Sequence, residues 1–192
     1  MPLTKIQSLG ITDGTIVNAD INASAGIVST KLSGSFGKVL QVVQSTVTSA
    51  SSATATLHTA SFADKLTIIS ASITPSSASN NILIFYNVNV SATTGSNAIH
   101  LGRGSTQIFL ADSASNRVRS TLSMNLSDQY NSELISGVYL DSPSTTSATT
   151  YYVKHSSYTG SVYINRSEAD RNDANGYDGR SVCSLVLLEI AG

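Results

Sequence analysis

Residues 82–90 read Ile-Leu-Ile-Phe-Tyr-Asn-Val-Asn-Val, and this stretch indicates the fold class. Its alternate residues are predicted to share one buried face: Ile82, Ile84, Tyr86, Val88 and Val90. Alternation with a period of two is typical of a half-buried β-strand, because successive side chains point to opposite faces of the sheet. The sequence therefore predicts a sheet that packs one face into a core.

Further segments rich in Val, Ile, Thr and Tyr follow one another at intervals of roughly 8–14 residues from Lys38 onward, a rhythm typical of sandwiches and barrels. They include 54–58, 117–124, and a hairpin about Gly104-Ser105. The last segment, 181–190, is dense enough in apolar residues to predict burial on both faces, with Cys183 as a buried, inert thiol. Ten or eleven strands in this length predict an all-β, jelly-roll-like sandwich.

Charge is scarce in this chain of 192 residues, because Lys and Arg number 11, Asp and Glu number 12, and the net charge is −1. Ser (34) and Thr (20) make up 54 residues and replace charge on the surface. A chain this close to neutral is not expected to bind nucleic acid through bulk charge. It has no apolar run long enough to predict a membrane helix, and its N-terminus lacks the apolar core of an export signal. Exposed strand edges that carry little charge promote aggregation, so we expect an oligomer that covers them.

Residues 1–37 differ from the rest, because Phe36 is their only aromatic residue and small or turn-forming residues separate their aliphatics. Such a segment has too little bulk for a core of its own. It is either a disordered tail or a fibrous segment that packs against copies of itself or another protein. We predict an attachment segment over 1–37 and a β domain over 38–192, with these candidate docking residues: Ile11, Ile16, Val17, Ile21 and Ile27.

Residues 11–25 read Ile-Thr-Asp-Gly-Thr-Ile-Val-Asn-Ala-Asp-Ile-Asn-Ala-Ser-Ala. This stretch resembles a segment common in tail-fibre and related virion proteins of tailed phages, particularly phages of cyanobacteria. Segments 142–151, 162–166, 179–181 and 188–190 resemble their C-terminal β domain. The resemblance implies a homotrimer in the virion whose N-terminus attaches to other tail or capsid proteins and whose head contacts the host. A capsid decoration or cement protein, or a tail adaptor without host contact, stays open as the alternative.

Segment 166–180 is the most charged part of the chain, with 7 of its 23 charged residues. Carboxylates, amides and a tyrosine are groups that recognise sugars, so a host surface glycan is the expected ligand. The candidate contact residues are Glu168, Asp170, Arg171, Asp173, Tyr177 and Asp178. Two other interpretations stay open: a calcium site at the aspartates, and a solvated connector that Arg–Asp pairs across a subunit boundary stabilise.

No catalytic signature is present in the sequence. There is no Gly-x-Ser-x-Gly elbow, and Gly102-Arg103-Gly104 lacks the Gly-Lys-Ser/Thr of a phosphate loop. His58, His100 and His155 fall on separate predicted strands, which favours strand or interface side chains over a metal site. We therefore expect no enzymatic activity, no cofactor and no metal.

Overall fold

The computed structural model describes residues 38–92, 95–126, 128–174 and 176–192. The chain divides into two units between Ser35 and Phe36, and the described residues all belong to the second unit. The predicted docking residues Ile11, Ile16, Val17, Ile21 and Ile27 lie outside the described residues. No helix in the described ranges is long and apolar enough to span a membrane.

Eleven strands and one short 3₁₀ turn, Gly176–Asp178, account for the regular structure of these residues. The strands are β1 Val39–Val47, β2 Ser51–Thr54, β3 Leu66–Ile73, β4 Asn81–Ala92, β5 Ser96–Arg103, β6 Thr106–Ile108, β7 Leu122–Asn125, β8 Glu133–Asp141, β9 Thr149–Ser157, β10 Ser161–Ile164 and β11 Cys183–Ile190. The all-β class is thereby confirmed.

The strands form two antiparallel sheets. In the first sheet, β4 pairs with β8 along one edge and with both β11 and β10 along the other, and β1 and β2 lie outside these two. In the second sheet the order is β3, β9, β5, and β5 then pairs with both β6 and β7. Counting β1/β2, β6/β7 and β10/β11 as interrupted strands gives eight positions in two sheets of four. This is the strand order of a jelly roll, as the sequence predicts.

The core lies between the sheets. Ile82, Ile84, Tyr86, Val88 and Val90 all belong to it, which confirms the predicted buried face of β4. Leu185 and Leu187 of the neighbouring strand β11 extend this buried face, and Tyr151 and Val153 of β9 belong to the same core from the second sheet. Burial of these apolar side chains is the main contribution to the stability of the sandwich.

Three predicted details were wrong. In β11 only one face is buried, because Val186 and Leu188 point away from the core and stay partly exposed. Of the strand predicted over 54–58, only Thr54 lies in a strand, β2, and residues 55–65 form a loop in which Leu57 makes an isolated bridge to Ser157 of β9. Residues 109–121 are irregular, and the strand predicted over 117–124 shrinks to β7, where Leu122 begins the pairing with β5.

The outer face of the first sheet carries an apolar stripe that crosses its width. Its members are Val42, Leu83, Phe85, Val138, Leu140, Val186 and Leu188. Cross-strand register places them in two adjacent rows, Val42–Leu188–Leu83–Leu140 and Val186–Phe85–Val138. Four of them are well exposed: Val42 (59%), Val138 (53%), Leu140 (53%) and Phe85 (39%). No charged residue belongs to either row.

The outer face of the second sheet is covered by residues 55–65, the covering segment. The Phe62 ring lies directly on the backbone of Gly102, where a Cβ atom would come within 1.9 Å of it. Lys154 of β9 donates a hydrogen bond to the Ala63 carbonyl (2.7 Å). Glycine at position 102 is therefore required by the close approach of an aromatic ring to the sheet.

Candidate ligand-binding site

The charged segment of the sequence forms a loop inserted into a strand. Ile164 at the end of β10 pairs with Val90, and Ser184 near the start of β11 pairs with Asn87 of the same strand β4. The two short strands therefore continue one line, and residues 165–182, the inserted loop, leave the sheet between them. Asn89 and Ser91, on the outer face of β4, are buried at this end of the sheet.

Asn165 closes the neck of the inserted loop. Its φ is 59°, a left-handed conformation that asparagine tolerates better than most residues. Its side-chain amide donates hydrogen bonds to the carbonyls of Val47 (2.7 Å) and Ser49 (3.2 Å), and its backbone N–H donates to Asn89 (3.0 Å). The thiol of Cys183 donates to its Oδ1 (3.0 Å). Neighbouring strands thus hold the neck through one fully buried residue.

Cys183 is fully buried, as the sequence predicts. Burial raises the pKa of its thiol, so the sulfur keeps its proton and can serve as the donor to Asn165. Its role in the described structure is that of a packed, hydrogen-bonded side chain.

Asp178 lies at the centre of the inserted loop with its side chain buried. Burial raises the pKa of this carboxyl group, but hydrogen bonds from the Arg171 N–H (3.1 Å), the Arg171 guanidinium (3.0 Å) and Ser167 (3.2 Å) outweigh that effect. The pKa of Asp178 therefore lies below its usual value. Asp178 stays ionised and ties the two halves of the loop together.

A second set of ion pairs surrounds Asp170, whose φ of 44° turns the backbone at that point. Its carboxylate pairs with Arg166 (3.2 Å) and with Arg180. Most of the charge concentrated in this part of the sequence is thus neutralised inside the loop. One interpretation of the sequence expected Arg–Asp pairs across a subunit boundary, whereas these pairs form within a single chain.

The remaining predicted contact residues occupy different positions. Glu168 is half-buried, and its backbone carbonyl lies 3.4 Å from the Arg166 guanidinium. Asp173 is exposed. Tyr177 belongs to the 3₁₀ turn, and its side chain lies outside the described part of the chain. Contact with a receptor stays a prediction for all six residues.

The inserted loop contacts the segment 128–131, which was not among the residues predicted from the sequence. Ala169 N–H donates to the Gln129 carbonyl (2.9 Å), and the Arg171 guanidinium stacks 4.6 Å from the centre of the Tyr130 ring. A shallow cavity of about 450 Å³ lies here, lined by Asp128, Tyr130, Asn131 and Arg171. No sequence signal links these segments, because they lie about 40 residues apart and meet only through the fold.

This cavity offers a carboxylate, an amide, a guanidinium and an aromatic ring. Asp128 is already fixed as the acceptor of the Tyr130 N–H (2.9 Å) and of the Asn131 side-chain amide (2.7 Å). Such groups can bind sugar hydroxyls and the apolar face of a sugar ring. Within the described ranges, no group of three or more His, Cys, Asp or Glu is placed to hold a metal ion.

The histidines lie closer together than the sequence indicated. His58 Nδ1 and His100 Nε2 both lie within hydrogen-bond distance of Ser156 Oγ, at 2.8 and 2.7 Å. His58 belongs to the covering segment and not to a strand, which brings it over β5 and β9. Ser156 is fully buried, so its hydroxyl is not accessible to a substrate. His155, on the inner face, lies 3.0 Å from Asn97 Oδ1.

Burial lowers the pKa of both buried histidines, to about 3 for His100 and about 4 for His155. The positive charge of Lys65 lowers the His100 value further. Both rings are therefore neutral at pH 7 and serve as structural hydrogen-bonding groups within the second sheet.

No family model and no curated protein sequence matches the chain. Among solved structures it is similar to the EclA C-terminal domain, described as a sugar-binding protein, with 15% identity over 62% of this chain and 74% of that chain and a TM-score of 0.34. It is also similar to the VP2 subviral particle of infectious bursal disease virus, with 8% identity over 88% of this chain and 44% of that chain and a TM-score of 0.33.

A third similar structure, of the Gx strain of infectious bursal disease virus, is 11% identical over 79% of this chain and 40% of that chain, with a TM-score of 0.32. The chain thus spans less than half the length of the two viral chains. The assignment to the jelly-roll class rests on the strand order described above.

Proposed function

We propose that this protein is a structural component of a virion, a short homotrimeric tail fibre of a tailed phage. In this proposal residues 1–37 dock on other tail or capsid proteins, and the β domain contacts the host surface. The resemblance of residues 11–25 to phage fibre proteins supports the first part. The jelly-roll sandwich is compatible with the second.

The observation that carries the proposal of self-association is the apolar stripe on the first sheet. Contiguous exposed apolar faces are rare on monomeric proteins and mark contacts with other proteins. Three copies of an uncharged stripe can pack together around a threefold axis, so further copies of this chain are the expected occupants. Only 12% of the residues are charged, so electrostatic repulsion between copies is weak.

Light scattering on the intact protein tests this proposal. We expect a mass of three 20.0 kDa chains. Val138→Glu should produce monomers, because it places a charge inside the stripe. Ser136→Glu, at an exposed position on the same strand and face but outside the stripe, should leave the trimer intact. A wild-type protein that stays monomeric at micromolar concentration would contradict the proposal.

A second candidate is a capsid decoration protein, cement protein or tail adaptor without host contact. The internal pairing of charges in the inserted loop favours it, since Arg171, Arg166 and Arg180 are already matched by aspartates. Particle adsorption separates the two candidates. Replacing Asp170, Arg171, Asp173 and Tyr177 by Ala or Ser should reduce adsorption if the loop contacts the host. Unchanged adsorption with a folded trimer would favour the purely structural role.

Removing residues 1–37 tests docking. We expect the β domain to keep its strand signal in circular dichroism and to be lost from assembled particles. Incorporation of the shortened protein into virions would contradict an attachment role for this segment.

A further inference from the structure

The cations of the described residues fall into two groups. Nine lysines and arginines lie within 38–92, 95–126, 128–174 and 176–192. Four of them form salt bridges with aspartates: Arg103, Arg166, Arg171 and Arg180. Three of the other five, Lys65, Arg117 and Arg119, line a single cavity. A chain with so few charges thus brings together cations that no carboxylate in the described parts neutralises by a salt bridge.

This cavity, of about 360 Å³, lies between the covering segment and the irregular residues 109–121. Backbone carbonyls hold two of the three cationic groups, those of Lys65 and Arg119, in place. Lys65 Nζ donates to the carbonyls of His58 (2.8 Å) and Ala60 (2.9 Å), and Arg119 Nε donates to the Ala111 carbonyl (2.9 Å). Neutral acceptors position these side chains while leaving their positive charge available to a ligand.

No aspartate or glutamate of the described ranges lines the cavity. Asp64, the acidic residue of the covering segment, accepts a hydrogen bond from Ser61 (2.6 Å) instead, and its charge acts on Lys154. Lys65 itself is 6% exposed. An anionic group that enters the cavity therefore meets a partly desolvated ammonium group and two guanidinium groups, with no carboxylate in the lining to repel it.

The other lining groups narrow the class of ligand. Gln107 and Asn116 can exchange hydrogen bonds with the hydroxyl groups of a ligand, and Val118 adds an exposed apolar wall. His58 also lines the cavity, but its two ring nitrogens already lie within hydrogen-bond distance of the Ser156 and Ser96 hydroxyls. The cations are gathered at one point and not spread along a groove, and the protein carries a net charge of −1. This arrangement argues against nucleic acid as the ligand, because proteins bind a nucleic-acid backbone through positive charges spread along its length.

We propose that the cavity formed by Lys65, Arg117 and Arg119 binds an acidic unit of a saccharide, one that carries a carboxylate or a sulfate group. The site lies apart from the inserted loop and shares no lining residue with the cavity there. It depends neither on the trimer nor on attachment to a virion, so it can be tested on the purified protein alone.

Titration calorimetry on the full chain should compare oligosaccharides of equal length in three forms: uronate-containing, sulfated and neutral. We expect binding of at least one acidic form, weakening as NaCl is added, and none of the neutral form. Which acidic form binds distinguishes carboxylate from sulfate recognition. Equal binding of the neutral form, or no binding of either acidic form at millimolar concentration, would overturn the proposal.

A matched pair of variants assigns the binding to this cavity. Arg117→Gln should weaken it by about tenfold, because one charge-assisted contact is lost. Lys38→Gln removes the same charge from an exposed position that does not line the cavity, and it should leave affinity unchanged. Circular dichroism confirms that both variants are folded. Equal weakening by the two variants would show that only net charge matters and would contradict a specific site.

Discussion

The outer face of the first sheet is exposed and apolar, whereas the outer face of the second sheet is covered by residues 55–65, beside which three cations line one cavity. Both faces belong to the same sandwich and flank the same core. The first sheet leaves Phe85 and Val138 exposed on its outer face. The second sheet packs Phe62 onto Gly102 and builds its polar cavity on top. One sandwich can therefore offer one face to protein and the other to a small polar ligand.

The largest expected effect contrasts the two sides of β4. Ile84 is fully buried and Phe85, the next residue, is 39% exposed on the stripe. Ile84→Ala should lower the free energy of unfolding by about 2–5 kcal/mol, because it leaves a cavity in the core. Phe85→Ala should cost about 1 kcal/mol and should chiefly weaken self-association. Urea denaturation and light scattering measure the two effects. Equal losses of stability would show that the stripe is buried in a way the single chain does not reveal.

The second prediction tests the contact between the covering segment and the outer face of the second sheet. Gly102→Ala places a methyl group against the Phe62 ring and should cost about 1–3 kcal/mol through overpacking. In a Phe62→Ala background the same change should cost much less, because the ring that it meets is gone. The coupling free energy from this double-mutant cycle, measured by chemical denaturation, reports the contact. Additive effects would mean that the covering segment does not press on the sheet at Gly102.

The third prediction concerns the stability of the protein at acidic pH, which we expect to depend mainly on buried histidines of the second sheet. His100 and His155 have folded-state pKa values of about 3 and 4, below the 6.5 expected when unfolded. The unfolded chain therefore binds more protons in this window, and stability falls as the pH drops from 6.5 toward 4. Each buried histidine contributes a slope of at most roughly 1.4 kcal/mol per pH unit.

Thermal unfolding at pH 7 and pH 5 measures this slope. Carboxylates with lowered pKa values, such as Asp178 and Glu189, lose their contribution only at lower pH and do not interfere. His100→Gln should reduce the difference in melting temperature between the two pH values, whatever its effect at pH 7. An unchanged difference would assign the acid sensitivity to other groups.

The smallest expected effect lies in the inserted loop, which covers one end of the first sheet. Arg180→Gln removes the exposed partner of Asp170, while Arg166 remains beside that carboxylate. Exposed ion pairs contribute little, so stability should change by no more than about 0.5 kcal/mol. Chemical denaturation provides the measurement. A loss of several times that size would show that the loop is coupled to the sheet through its charges and not through its neck.

The sequence predicts the class of fold because alternation in residues 82–90 reports directly on which side chains are buried. The sequence overpredicts burial in β11. A continuous apolar run does not show whether the residues on the outer face of the strand lie in a core or form an exposed stripe. A strand was predicted over 54–58 because these residues have strand propensity, yet the residues after Thr54 belong to the covering segment, whose Phe62 packs on Gly102. Neither cavity could be predicted, because each joins residues that are far apart in the chain.

Because Asn165 fixes the neck of the inserted loop, the register of the strands does not depend on how long that loop is. The pairing of β10 and β11 with β4 is fixed on either side of the neck, whatever chain lies between. The entropy of closing a loop grows slowly with its length, by about 0.6 kcal/mol for each doubling. Residues 172–174, which are exposed at the far part of this loop, therefore form a permissive site for grafting. A foreign epitope placed there would be displayed by the sandwich without a change in strand register.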